Sequence, residues 1–352
     1  MHRRQVLAAL GALPLSLATR APAAQERHPL HPAWEAWKTA YLDPSGRVID
    51  ALQDGASHSE GQGYGMVLAT ALRDREAFEA MHGWTRDNLA IRDDALLAWR
   101  WLPDAETAVP DTNNASDGDL FYAWALSRGG RVFARPELSE EAGAVAADLV
   151  ASCLVAHPGK DGVQLLLPGA FGFRKDEGIV VNPSYYFPRA MRELALNHGV
   201  GALGIAAEDG VEMLADMART GPIPDWIQIS ADGIGAPEGF SSDSGYEALR
   251  VPLWMIWSGD ADHPVVVRAH AADRLLPAGQ SATVVKADGS AITETSSAPG
   301  YAAIASLAAC AVEKAPGSSM PPFSTDQPYY PATLQMFTYL AQMEVLPECF
   351  PI

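Results

Sequence analysis

Ser57-His58-Ser59-Glu60-Gly61-Gln62-Gly63-Tyr64-Gly65-Met66 opens a helix. Tyr64, Val67, Leu68, Ala71 and Leu72 follow the i, i+3, i+4, i+7, i+8 spacing of one buried face. Ser57 and Glu60 stand at capping-box spacing, which predicts Ser57 as the cap. Gly61, Gly63 and Gly65 are unusual at a helix start. Without side chains they let something bulky approach the backbone. The same pattern recurs at Ser116-Asp117-Gly118-Asp119 and at Ser244-Gly245-Tyr246-Glu247, each ahead of an apolar helical run. Read singly, these are ordinary helix starts. Read together, they are acidic turns that present carboxylates to one rim.

The chain has 352 residues and a net charge of -18, which argues against nucleic acid or anionic lipid as partner. Residues 1–24 read as an export signal: a basic start at His2-Arg3-Arg4, an apolar run from Val6 to Ala18, and small residues at Ala21-Pro22-Ala23. The Arg3-Arg4 pair leaves the twin-arginine route open beside the general one. This places the protein in the periplasm or outside the cell. Cys153, Cys310 and Cys349 form neither a disulfide framework nor a metal site, and leave one disulfide or buried thiols open. The histidines have no ligand spacing, so no catalytic metal or other cofactor is expected.

Helical patterns follow one another near 33–41, 60–72, 75–91, 117–128, 139–156, 183–198, 208–219, 246–257, 264–273, 299–313 and 331–344. Short strand-like runs occur at Gly162 to Leu167, Trp226 to Ser230 and Thr283 to Lys286. No low-complexity linker divides residues 25–352, which reads as one domain. This succession suits an all-α (α/α)6 barrel or an irregular α-solenoid. In such a barrel the inner helices run parallel, so the acidic helix starts share one end. Asn182-Pro183-Ser184-Tyr185 is a further helix start, with Asn as cap and Pro at the first position.

Two carboxylates across a groove are the equipment of glycosidic-bond hydrolysis, one protonated to donate and one ionised to activate water. A helix N-terminus favours the ionised form. Glu60 therefore needs burial or negative neighbours to serve as an acid. Asp54, Asp117, Asp119 and Glu247 are the candidate neighbours. Trp99, Trp101 and Tyr185 are candidates for stacking on sugar rings.

Ser59-Glu60-Gly61-Gln62-Gly63-Tyr64-Gly65-Met66 resembles the proton-donor segment of glycoside hydrolase family 8. Ala115-Ser116-Asp117-Gly118-Asp119 and Asn182-Pro183-Ser184-Tyr185 resemble two further blocks of that family. The likeness is greater to its branch from bacterial cellulose-synthesis operons. It takes in Asp74 to Phe78, Trp84 to Leu89, Leu166 to Gly169, Phe240-Ser241 and Tyr246 to Trp254, and is patchy beyond residue 260. The resemblance implies an (α/α)6 barrel, an inverting mechanism, Glu60 as general acid and Asp117 at the cleavage-site sugar. It implies endo-acting hydrolysis of β-1,4-glucan linked to bacterial cellulose synthesis. A monomer in functional association with a cellulose synthase complex is the expectation set beside it.

Many members carry Asp as base where this chain has Glu247. Glu247 ranks first for that role, Asp117 second and Asp243 third, with Asp243 otherwise a substrate contact. Arg250, one turn on, is expected to orient a carboxylate. Chitosan, xylan and mixed-linkage glucan remain alternative substrates, as does a non-catalytic polysaccharide-binding barrel.

Overall fold

The computed structural model describes residues 28–277, 279–314 and 316–350; the expected export signal lies outside them. Eleven α-helices occur among the described residues. They are α1 (His31–Tyr41), α2 (Ser59–Ala71), α3 (Arg75–Asn88), α4 (Ser116–Val132), α5 (Pro136–Cys153), α6 (Pro188–His198), α7 (Gly201–Thr220), α8 (Val251–Trp257), α9 (Pro264–Asp273), α10 (Pro299–Glu313) and α11 (Tyr329–Val345). Short 3-10 turns at Pro183–Tyr185 and Ala248–Arg250 lead into α6 and α8.

The strands are connectors on this helical frame. β1 (Ser57–His58) pairs with β2 (Arg100–Trp101), and β3 (Leu154–Ala156) with β4 (Gln164–Leu166). β5 (Arg174–Lys175), β6 (Gly178–Val181), β7 (Ile227–Ser230) and β8 (Gly233–Gly235) form an antiparallel sheet in chain order. β9 (Ser281–Val285) and β10 (Ile292–Ser296) form a hairpin.

Contacts run α2–α4–α6–α8–α11 and back to α2, closing a ring. The remaining helices pack outside it, as in an (α/α)6 barrel. Composition explains the division. α2, α4, α8 and α11 are apolar or small-residue helices buried nearly all round. α3 and α5 bury one stripe each. An all-round apolar helix is stable only when other helices surround it.

The glycines set how closely the ring packs. A Cβ on Gly63 would lie 2.9 Å from Phe121 Cβ and from the Tyr122 amide. One on Gly118 would lie 2.1 Å from Ser59 Oγ and 2.8 Å from the Glu60 amide. Helix α4 is thus the group that approaches Gly63, while Tyr329 approaches Gly61 and Met81 approaches Gly65; α2 and α4 are drawn together at their N-terminal ends.

The capping-box expectation is corrected. Ser57 lies in β1, and its Oγ donates to the Val48 carbonyl at 2.5 Å. His58, in extended conformation, is the cap residue of α2 and makes no side-chain cap bond. Two-residue pairing with β2 took the chain out of the cap geometry that the spacing suggested. Cys310 and Cys349 form a disulfide, and Cys153 is a buried thiol.

Candidate active site

The starts of α2 and α4 and the turn ahead of α8 open on one cleft of about 460 Å³. At its floor lies Arg250, 1 % exposed. Its Nη1 donates to Glu60 Oε2 and, at 2.7 Å, to Tyr64 Oη. Its Nη2 donates to Asp117 Oδ2 at 2.9 Å and to Glu247 Oε2 at 2.8 Å. Ser184 Oγ accepts from Nε at 3.2 Å and from Nη2 at 3.0 Å, and lies 3.2 Å from Glu247 Oε2. Asn182 Oδ1 accepts from the Ser184 amide and hydroxyl, so the expected Asn cap forms, though on a 3-10 turn. One rigid guanidinium fork thus gathers three carboxylates from distant parts of the chain.

The carboxylates differ in access. The side chains of Glu60 and Glu247 are 23 % and 36 % exposed toward the cleft, and that of Asp117 only 3 %. Burial pushes the Asp117 carboxyl well above the usual range; Arg250 opposes this, and the charges of Glu60 and Glu247 add to it. Burial also presses on Glu60, but Arg250 and a hydrogen bond with Asp117 outweigh it and hold Glu60 low. Of this pair, Asp117 is the carboxyl held high and Glu60 the one held low. The Arg250 Nη1 contact favours the ionised form of Glu60. Glu247 is pushed up by burial, against Arg250, with Glu60 and Asp225 adding to the rise.

Of the expected stacking residues, Trp99 and Tyr185 line the cleft. Trp99 stacks on His58 at 5.8 Å, and its Nε1 donates to Asp111 at 2.9 Å. Trp101 does not line it: its ring meets Trp84 edge-on at 5.7 Å with the Arg47 guanidinium 4.9 Å above it. Asp243 is also outside the cleft lining, paired with Lys286 at 2.8 Å on the surface. Asp119 is buried, accepting from the Leu97 amide and Asn114 Nδ2, and Asp54 lies exposed; neither reaches the cleft.

Sequence reasoning missed Tyr329, Tyr330, Tyr246 and His58 in the lining. The Pro328-Tyr329-Tyr330-Pro331 run, an aromatic pair at a helix start, was the available signal. No cluster of His, Cys, Asp and Glu suited to a metal occurs among the described residues.

A helical barrel with several carboxylates gathered at one cleft fits a glycoside hydrolase of the paired-acid kind. The Glycosyl hydrolases family 8 model matches residues 7–344, and the chain belongs to that family. It is 32 % identical over 345 residues to a probable endoglucanase of Novacetimonas hansenii, covering 96 % of this chain and 98 % of the relative. An endoglucanase of Xanthomonas axonopodis pv. citri is 31 % identical, at 96 % and 92 % coverage. The solved endo-beta-1,4-glucanase CMCax from Acetobacter xylinum superposes with a TM-score of 0.80 at 31 % identity, covering 89 % of this chain and 97 % of that one.

Proposed function

We propose that this family 8 hydrolase cleaves β-1,4-glucan internally with inversion, using Glu60 as acid and Glu247 as base. The observation that carries the reading is Arg250 holding Glu60, Asp117 and Glu247 at one cleft. The names of the relatives support the substrate class.

The chemistry follows from the site. A glucan lies in the cleft against Trp99 and Tyr185, with the scissile oxygen at Glu60. The proton shared by Glu60 and Asp117 is delivered by Glu60 to the leaving oxygen as the bond breaks. Glu247 Oε2 is tied to Arg250 and Ser184, leaving Oε1 to take a proton from the attacking water. The water adds to the opposite face of the sugar, and the anomeric centre inverts. Asp117, buried and bound to Arg250, faces the sugar at the cleavage point. Each turnover leaves Glu60 without its proton and Glu247 with one, and exchange with solvent resets both.

Export to the periplasm or medium and a role beside a cellulose synthase complex belong to the same proposal. They rest on the N-terminal sequence and on the likeness to relatives such as that of Novacetimonas hansenii. No helix among the described residues is long and apolar enough to cross a membrane. The protein acts as a monomer in this reading.

Reducing-sugar release from carboxymethylcellulose, chitosan, xylan and mixed-linkage glucan tests the substrate. Carboxymethylcellulose should be cleaved fastest, and a preference for chitosan would overturn the assignment. Glu60→Gln should lower the rate by at least about 10³-fold while the far-UV spectrum stays native, since acid catalysis and positioning combine at this residue. Turnover close to the parent would remove Glu60 from the chemistry.

A further inference from the structure

We propose that Asp225 is the positioning residue for Glu247, fixing from beneath the turn from which that side chain reaches the cleft. This rests on Glu247 as the base. Asp225 sits ahead of β7, half-buried and outside the cleft lining. Its Oδ1 accepts from the Gly245 amide at 2.8 Å and from the Ala248 amide at 2.9 Å. Those two amides flank Tyr246 and Glu247, so one oxygen clamps both ends of the turn. The Asp225 amide donates to the Asp243 carbonyl at 2.8 Å, tying the segment a third time. Ser244 exchanges backbone hydrogen bonds with Val285 of β9 at 2.9 and 2.8 Å, so the outer side is held as well. The neighbouring Trp226 packs on Tyr185 of the cleft at 6.2 Å, which anchors Asp225 to the barrel.

Gly245 is explained by the same contact. A Cβ there would stand 2.5 Å from Asp225 Oδ2. Any side chain at 245 pushes the clamp away.

Asp225 also acts through space. The charged and titratable groups around Glu247 are Arg250, Glu60, Asp117, Asp225, Tyr185 and Tyr330. Among them the Asp225 charge adds to the upward pressure that burial exerts on Glu247. A base acts in its ionised form, so a raised value moves the acid limb of the rate profile to higher pH. Asn at 225 keeps the accepting oxygen and loses the charge.

The test is steady-state kinetics on cellopentaose with three variants, with melting temperature measured alongside. Asp225→Ala should lower kcat about 10²-fold with KM within twofold, because misplacing a catalytic group by about 1 Å has that cost. Gly245→Ala should resemble it. Asp225→Asn should lose less than tenfold in kcat and move the acid limb of kcat/KM to lower pH. A purely structural residue would lower the melting temperature without moving that limb. The proposal is overturned if Asp225→Ala keeps kcat within twofold, or if Asp225→Asn loses as much as Asp225→Ala with the limb unmoved. Azide rescue separates the two readings. Rescue of Asp117→Ala in place of Glu247→Ala sinks the base assignment and this proposal together. Rescue of Glu247→Ala with a silent Asp225→Ala sinks this proposal alone.

Discussion

The inner helices carry two layers of opposite character within one turn of each other. In the mouth, Arg250 binds Glu60, Asp117 and Glu247. Below it the barrel is filled with rings. Phe121 meets Tyr64 at 4.6 Å and Phe187 at 5.3 Å, while Trp254 lies 4.8 Å from Phe187 and Phe337 lies 4.9 Å from Tyr64. Tyr64 belongs to both layers, its ring in the lower and its hydroxyl accepting from Arg250. The lower layer is held by area and packing, which tolerate exchange of one apolar residue for another. The upper layer is held by charges that fail together when one partner is removed.

Arg250→Ala breaks that upper layer and should have the largest effect. Removing one partner from a buried charge network costs about 3–5 kcal/mol. Hydrolysis should also vanish, because Glu60, Asp117 and Glu247 then repel one another. Denaturant unfolding and activity read the two losses, and loss of activity with unchanged stability would contradict the shared anchor. Phe121→Ala probes the lower layer. It should cost about 3–5 kcal/mol of stability. Its folded fraction at low temperature should keep KM within twofold, and a large KM change would couple the layers more tightly than the contacts do.

Trp99 and Trp101, two residues apart, offer a smaller contrast. Trp99→Ala should raise KM for cellopentaose about 3–10-fold, the equivalent of roughly 0.5–1.5 kcal/mol of ring contact. Trp101→Ala should leave KM unchanged, and equal effects would contradict the placement of Trp101 outside the cleft.

An effect read across pH concerns Asp119, pushed up to about 7 by burial against the Leu97 and Asn114 hydrogen bonds. The folded chain then holds a proton that the unfolded chain has released. The stability tied to Asp119 is full below its unfolded value near 3.8 and is lost as pH rises through about 7. The melting temperature of the parent minus that of Asp119→Asn should fall across this window, and a constant difference would refute it.

The helices were legible because a 3.6-residue period over ten or more positions is hard to produce otherwise. α9 and α10 fall at 264–273 and 299–313 as the periodicity predicts. β1 and β2 were not legible, since a two-residue strand has no period to read. The same short pairing misled the reading of Ser57. At the site, Glu60, Asp117 and Glu247 could be named because each opens a helix. Asp243 was the wrong neighbour. It is close to Glu247 along the chain but turns outward to Lys286, while Asp225, far upstream, comes in beneath the turn. Chain proximity carries little information about which acid faces a cleft. The opposite shifts of Glu60 and Asp117 were equally hidden, because they depend on burial and on which guanidinium nitrogen meets which carboxylate.

The central claim is that carboxylates gathered on Arg250 carry out a single displacement by water. Proton NMR during the first minutes of cellopentaose hydrolysis tests it most directly. The account predicts that the new reducing ends appear as the α-anomer and then mutarotate. First appearance of the β-anomer would mean a double displacement through a covalent sugar–enzyme bond, and would contradict it.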